Sequence, residues 1–134
     1  MAREPAAILI VEDNRDAAES LAMLLEVLGH RVRLVHDGTA ALDALRAESW
    51  DVALVDIGLP GIDGYELARR ARALADGDRL MLVAVTGYGR EEDRARASAA
   101  GFDHHLVKPI DVDALERLLR ELASRSGGGG TAAS

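Results

Sequence analysis

Short unbroken apolar runs alternate along this chain with longer stretches whose apolar residues recur every three or four positions. Ala7-Ile8-Leu9-Ile10-Val11 is the first run, the pattern of a strand buried on both faces. Arg15 to Leu28 follows with Ala18, Leu21, Leu25 and Leu28 at helical spacing, and Gly29 stands where a helix C-cap glycine belongs. Arg31 to Val35 alternates and predicts a more exposed strand. Thr39 to Ala47 predicts a second helix and Val52 to Val55 a third strand. Leu59-Pro60-Gly61-Ile62-Asp63-Gly64 is loop chemistry, and Asp63 with Glu66 has the form of a helix N-terminal capping pair. The helix it opens carries Leu67, Ala71 and Leu74 and runs to about Ala75, before the turn Asp76-Gly77-Asp78. Leu80 to Val85 is a fourth apolar strand, and Arg90 to Ala100 a helix so rich in alanine and charge that it buries little. Phe102 to Val107 completes the strands. Asp111 caps a last helix with Leu115, Leu118, Leu119 and Leu122 facing inward.

Five strands alternating with five helices predict a single α/β domain, a parallel sheet with helices on both faces. The domain is read as residues 1–126, and 127–134, opening with Gly127 to Gly130, as a flexible Gly-rich tail. A length of 134 residues suits one core and leaves no room for a second. No apolar run approaches the roughly 20 residues of a bilayer span, and the first run turns acidic too soon for a secretory signal. The chain has no cysteine, which excludes disulfides and thiolate chemistry and fits a cytoplasmic setting. A net charge of -7 argues against a nucleic-acid partner. Of the 16 basic residues other than histidine, Lys108 alone is lysine, which hints at a task for a compact ammonium.

In such sheets, ligands bind beyond the carboxyl ends of the strands. Glu12 and Asp13 follow the first strand, Asp56 ends the third, Thr86 ends the fourth, and Lys108-Pro109 follows the fifth. Each is ordinary alone, since acidic residues after strands often cap helices. Their joint occurrence at the same end of four strands is far less expected by chance. Crowded carboxylates repel one another, and a hard divalent cation with oxygen ligands, Mg²⁺, relieves them. A carboxylate beside such a cation, a lysine and a hydroxyl can attack phosphorus and form an aspartyl phosphate.

These residues, with Ile10-Val11-Glu12-Asp13-Asn14, Leu54-Val55-Asp56-Ile57-Gly58-Leu59-Pro60-Gly61-Ile62-Asp63-Gly64, Val85-Thr86-Gly87-Tyr88 and Leu106-Val107-Lys108-Pro109, resemble the response-regulator receiver domains of two-component signalling. The resemblance covers about Ile8 to Leu122. It implies a doubly wound, flavodoxin-like sheet in the order 2-1-3-4-5. It implies that Asp56 accepts a phosphoryl group from a histidine kinase or phosphotransfer protein. Glu12, Asp13, Asp56 and the Gly58 carbonyl would hold Mg²⁺, and Thr86 and Lys108 would bind phosphoryl oxygens. The Lys108–Pro109 peptide would be cis. The signal would leave through the fourth helix, fifth strand and fifth helix to a downstream protein, from a monomer or weak dimer. Receivers commonly carry Tyr or Phe three residues before Lys108; here His105 stands there. His105 is expected to replace that aromatic switch, turning inward on activation with a falling pKa, so that acid favours the inactive form. Tyr88, two residues after Thr86, is expected to shield the phosphoryl group from water.

The remaining features have plainer readings. His104 and His105 are strand neighbours pointing to opposite faces and cannot readily chelate one ion. His30 and His36 read as surface residues, Gly61 and Gly64 as turn formers, and Trp50 as packing near the start of the third strand. A phosphohydrolase with an aspartyl intermediate would need a second acid or base near the nucleophile, yet Ile57 and Gly58 follow Asp56. A module that had lost phosphorylation would lack part of the acidic set, and none is missing. The expectation is therefore a signalling module and not an enzyme. A free-standing regulator is favoured because Met1 lies close to the first strand and no output domain follows. The alternative is a receiver excised from a hybrid histidine kinase.

Overall fold

The structure is a computed structural model describing residues 5–74, 77, 79–87 and 91–132, and the side chains of these except 91, 92 and 123–132. Its elements are β1 (Ala7–Val11), α1 (Arg15–Val27), β2 (Arg31–Val35), α2 (Gly38–Ala47), β3 (Val52–Asp56), α3 (Gly64–Arg72), β4 (Met81–Thr86), α4 (Glu91–Ala100), β5 (His104–Val107) and α5 (Val112–Ala132). All strand pairs are parallel, in the order β2-β1-β3-β4-β5. The chain order therefore reverses at β1 and β3, and the carboxyl ends of these two strands lie side by side.

The apolar runs are buried on both faces because successive residues feed opposite cores. Leu9, Val11, Ala53, Val55, Leu82 and Ala84 pack with α2, α3 and Phe102. Ile8, Ile10, Leu54, Val83 and Val85 pack with α1 and α5, including Leu25, Leu115 and Leu119. Trp50 joins the first core just before β3. His30 is buried, contrary to the surface reading, because the Ala6 amide donates to its Nδ1 at 3.0 Å.

Helix starts are set by side-chain caps. Asn14 accepts from the Ala17 amide at 3.1 Å, Asp37 from Ala40 at 2.8 Å and Asp63 from Glu66 at 2.9 Å. Because Asn14 caps α1, neither Glu12 nor Asp13 serves as its cap. Gly64 is fixed by close approach, since a Cβ there would lie 2.5 Å from the Ile57 Cα. This brings the start of α3 hard against the segment that follows Asp56. α4 buries only Ala97 and Ala100 among its described side chains, as its composition implies.

α5 runs on through Gly127–Gly130, where the sequence predicts an irregular tail. No proline or positive-φ residue interrupts the backbone there, although each glycine costs about 1 kcal/mol against alanine in a helix. Among the described side chains of α5, Leu122 is the last packed on the core.

Arg72 closes the amino-terminal pole of the sheet. Its guanidinium donates to the carbonyls of Gly77 and Leu80 at 2.6 Å each, and to that of Gly101 at 2.9 and 2.6 Å. It also donates to the Asp103 carboxylate at 2.8 Å, which in turn accepts from the Leu82 amide at 2.9 Å. One fork thus ties the end of α3 to the starts of β4 and β5. Arg72→Met strands these half-buried acceptors and is expected to lower stability by about 2 kcal/mol or more in urea denaturation. An unchanged midpoint and slope would contradict this role.

Candidate functional site

The carboxyl edge of the sheet gathers the residues singled out in the sequence. Lys108 follows β5, which is held to β4 by its amide donating to the Thr86 carbonyl at 2.7 Å. From there its Nζ reaches back across the sheet, donating to Glu12 Oε1 at 2.7 Å and to Asp56 Oδ2 at 3.2 Å. The Lys108–Pro109 peptide is cis. The other Asp56 oxygen accepts from the Gly58 amide at 2.8 Å. Glu12 Oε2 accepts from the Asn14 amide at 3.1 Å.

One carboxylate oxygen from each of Glu12, Asp13 and Asp56 lies within 4.8 Å of the other two. Three carboxylates against one ammonium leave an excess of two negative charges at one edge. Burial pushes the Glu12 carboxyl above its usual range; the Lys108 bond opposes this and the Asp56 carboxylate adds to it. Burial works against the Lys108 ammonium, but its contacts with Glu12 and Asp56 outweigh that and hold its pKa above the ordinary lysine value. The set has the chemistry of a hard-cation site: oxygen donors, graded from buried Glu12 to exposed Asp13, with charge left to neutralise.

Thr86 is buried at the end of β4, next to the Lys108 backbone. A Cβ on Gly58 would meet Asp56 Oδ1 at 3.4 Å, so glycine leaves that side of the carboxylate open. A Cβ on Gly87 would meet nothing within 4 Å. Tyr88 lies outside the described residues. Beside the cluster, a cleft of about 600 Å³ opens between α1 and the segment after Lys108, lined by Ala17, Leu21, Leu24, Pro109, Ile110 and Val112 among others.

Both ring nitrogens of His105 are buried, with no hydrogen-bond partner among the described residues. Burial holds its pKa below the ordinary histidine value, the Arg94 charge adding to this and Asp93 opposing it. His104 points to the other face, its Nε2 3.5 Å from Glu121 on α5.

His36 was read from sequence as a surface residue and is half-buried at the site. Its Nδ1 is 2.9 Å from the Glu12 carbonyl oxygen. Nothing in the composition or spacing marks this contact; it follows from where β2 ends relative to β1.

Comparisons with known proteins agree with this geometry. The family model described as response regulator receiver domain matches residues 8–120. The virulence sensor protein BvgS of Bordetella pertussis is 40% identical over 124 residues, covering 89% of this chain and 10% of BvgS. The transcriptional regulatory protein TctD of Salmonella typhimurium is 36% identical over 121 residues, covering 90% of this chain and 53% of TctD. The chain thus spans about half or less of these two curated relatives. The crystal structure of the receiver domain of sensor histidine kinase PA1611 from Pseudomonas aeruginosa has a magnesium ion coordinated in its active-site cleft. It superposes with a TM-score of 0.81 at 34% identity, covering 89% of this chain and 98% of that one. On the sheet order, the acidic cluster with its lysine, and the match over residues 8–120, the chain belongs to the response-regulator receiver domain family.

Proposed function

We propose that this receiver domain is a Mg²⁺-dependent phosphoacceptor, with Asp56 taking a phosphoryl group from a histidine kinase or phosphotransfer protein. The observation that carries the reading is Lys108 Nζ bridging Glu12 and Asp56 within a three-carboxylate cluster. Glu12, Asp13 and Asp56, with the Gly58 carbonyl, are the residues that would hold the ion. Bound Mg²⁺ supplies charge neutralisation at the carboxylates and at the equatorial oxygens of the transferring group. An Asp56 oxygen forms the new P–O bond while the P–N bond of the donor breaks, its electron pair returning to the donor imidazole. Lys108 and the Thr86 hydroxyl bind the phosphoryl oxygens. The domain acts as a signalling module and not as a turnover enzyme, since the residues directly after Asp56, Ile57 and Gly58, offer no second acid or base.

The donor approach is supported by α1, which lines the cleft and exposes Met23 (67%) and Val27 (82%), one turn apart. Output is assigned to the α4–β5–α5 face. α4 is weakly anchored, β5 is an edge strand with Val107 exposed, and the Thr86 carbonyl joins β4 to the Lys108 backbone. The His105 ring, its pKa held down by burial, is assigned the position of the aromatic switch beneath this face, and Tyr88 is assigned the shielding of the phosphoryl group. Partners are proteins; an acidic chain with net charge -7 does not favour nucleic acid. Among the described residues no helix is long and apolar enough to cross a membrane.

Incubation with acetyl phosphate and Mg²⁺ is expected to add the mass of one phosphoryl group. Asp56→Asn and excess EDTA should each abolish the addition. Full labelling under either condition would overturn the assignment.

NMR with and without beryllofluoride tests the output face and His105 together. Amide shifts should concentrate in α4, β5 and α5, and the resting His105 ring should titrate below about 6.5. Because the folded form binds protons less readily at His105, its contribution to stability is complete above about pH 6.5 and is lost as pH falls below it. His105→Phe should remove that part of the acid sensitivity. Shifts confined to α1, or a ring titrating at or above the ordinary value, would contradict these roles.

A further inference from the structure

We propose that His36 is a positioning residue for the metal-holding segment Glu12–Asp13, an inference that rests on the reading of the acidic cluster as a cation site. The argument begins with the β1–β2 ladder. The two strands pair in register as far as Val11 and Val35. One further bond follows, from the Glu12 amide to the Val35 carbonyl at 3.1 Å. In a continuing parallel ladder, the next bond would run from the Asp37 amide to the Glu12 carbonyl. Among the described residues that bond is not made. The chain leaves the sheet at Asp37 to cap α2, its carboxylate accepting from the Ala40 amide at 2.8 Å.

The His36 imidazole takes the vacated place, its Nδ1 2.9 Å from the Glu12 carbonyl oxygen. A carbonyl only accepts, so Nδ1 carries the hydrogen and the tautomer is fixed. Val35 at the end of β2 and His36 just after it therefore hold both the amide and the carbonyl of Glu12, the first by backbone and the second by side chain.

The consequence falls on Asp13. The Glu12 carbonyl and the Asp13 amide share one rigid plane. Fixing that plane sets the direction in which Asp13 leaves the strand. Glu12 has its own anchors in Lys108 and the Asn14 amide. Asp13 is exposed, and among the described residues no hydrogen bond or ion pair holds its carboxylate. Its approach to the cluster depends on the backbone on either side of it: the Glu12 carboxylate holds the Asn14 amide beyond it, and His36 steadies the Glu12–Asp13 peptide before it. Outer groups of this kind commonly tune metal affinity without touching the ion.

The test is Mg²⁺ binding by isothermal titration calorimetry, at a pH above the histidine range. His36→Leu removes the donor and is expected to weaken binding about tenfold. His36→Asn places an amide nitrogen the same number of bonds from Cα as Nδ1 and should recover most of that loss. His36→Ala replaces the leucine variant should circular dichroism show leucine misfolded. At saturating Mg²⁺, the donor-less variant should reach the wild-type rate of labelling by acetyl phosphate, placing the defect in metal affinity. Equal affinity of wild type and the donor-less variant would overturn the positioning role alone, as would an asparagine variant as weak as leucine. A wild-type protein that fails to bind Mg²⁺ would overturn the cation-site reading and this inference with it.

Discussion

The structure turns on the ammonium of Lys108 and the carboxylates it faces. Like charges brought together at the end of a sheet destabilise the fold unless something opposes them. Lys108 opposes them in part, 2.7 Å from Glu12 and 3.2 Å from Asp56, and leaves an excess of negative charge. That imbalance makes the edge receptive to a cation. A divalent ion would restore neutrality, and the negative charge of a phosphoryl group would then meet the same cations. Arginine outnumbers lysine throughout this chain, yet the planar, larger guanidinium would not reproduce a point contact with two separate carboxylates.

Everything nearby keeps that cluster in place. The sheet order sets β1 beside β3, so Glu12 and Asp56 leave the sheet side by side. Asn14 caps α1 and spares Glu12 and Asp13 that task. The close contact of Gly64 with Ile57 fixes the segment after Asp56. At the opposite pole Arg72 fastens the starts of β4 and β5, the strands that deliver Thr86 and Lys108. α4, with only alanines buried among its described side chains, is lightly anchored to this frame.

Much of this was legible in the sequence because it depends on local pattern. Buried parallel strands read as apolar runs, and site residues follow those runs directly. Asp63 with Glu66 announced its cap for the same reason. What escaped depends on distant partners. His36 reaches Glu12 only because β2 ends one residue from β1's last bond, a matter of register between strands. Arg72 looks like any helical arginine until four segments converge on it. His105 stands three residues ahead of Lys108, and that position alone does not reveal that both its ring nitrogens are buried. α5 continues where glycines predicted its end, since composition weighs helix cost and does not dictate backbone continuity.

The central claim is that Asp56, and no other carboxylate of the cluster, is the nucleophile. The most direct measurement is chemical trapping of its product. After exposure to acetyl phosphate and Mg²⁺, borohydride reduces an acyl phosphate to an alcohol, turning the modified aspartate into homoserine. Peptide mass spectrometry then reads the position. Homoserine at residue 56 alone is the result this account predicts; homoserine at residue 13, the corresponding alcohol at residue 12, or no conversion in protein that binds Mg²⁺, would contradict it.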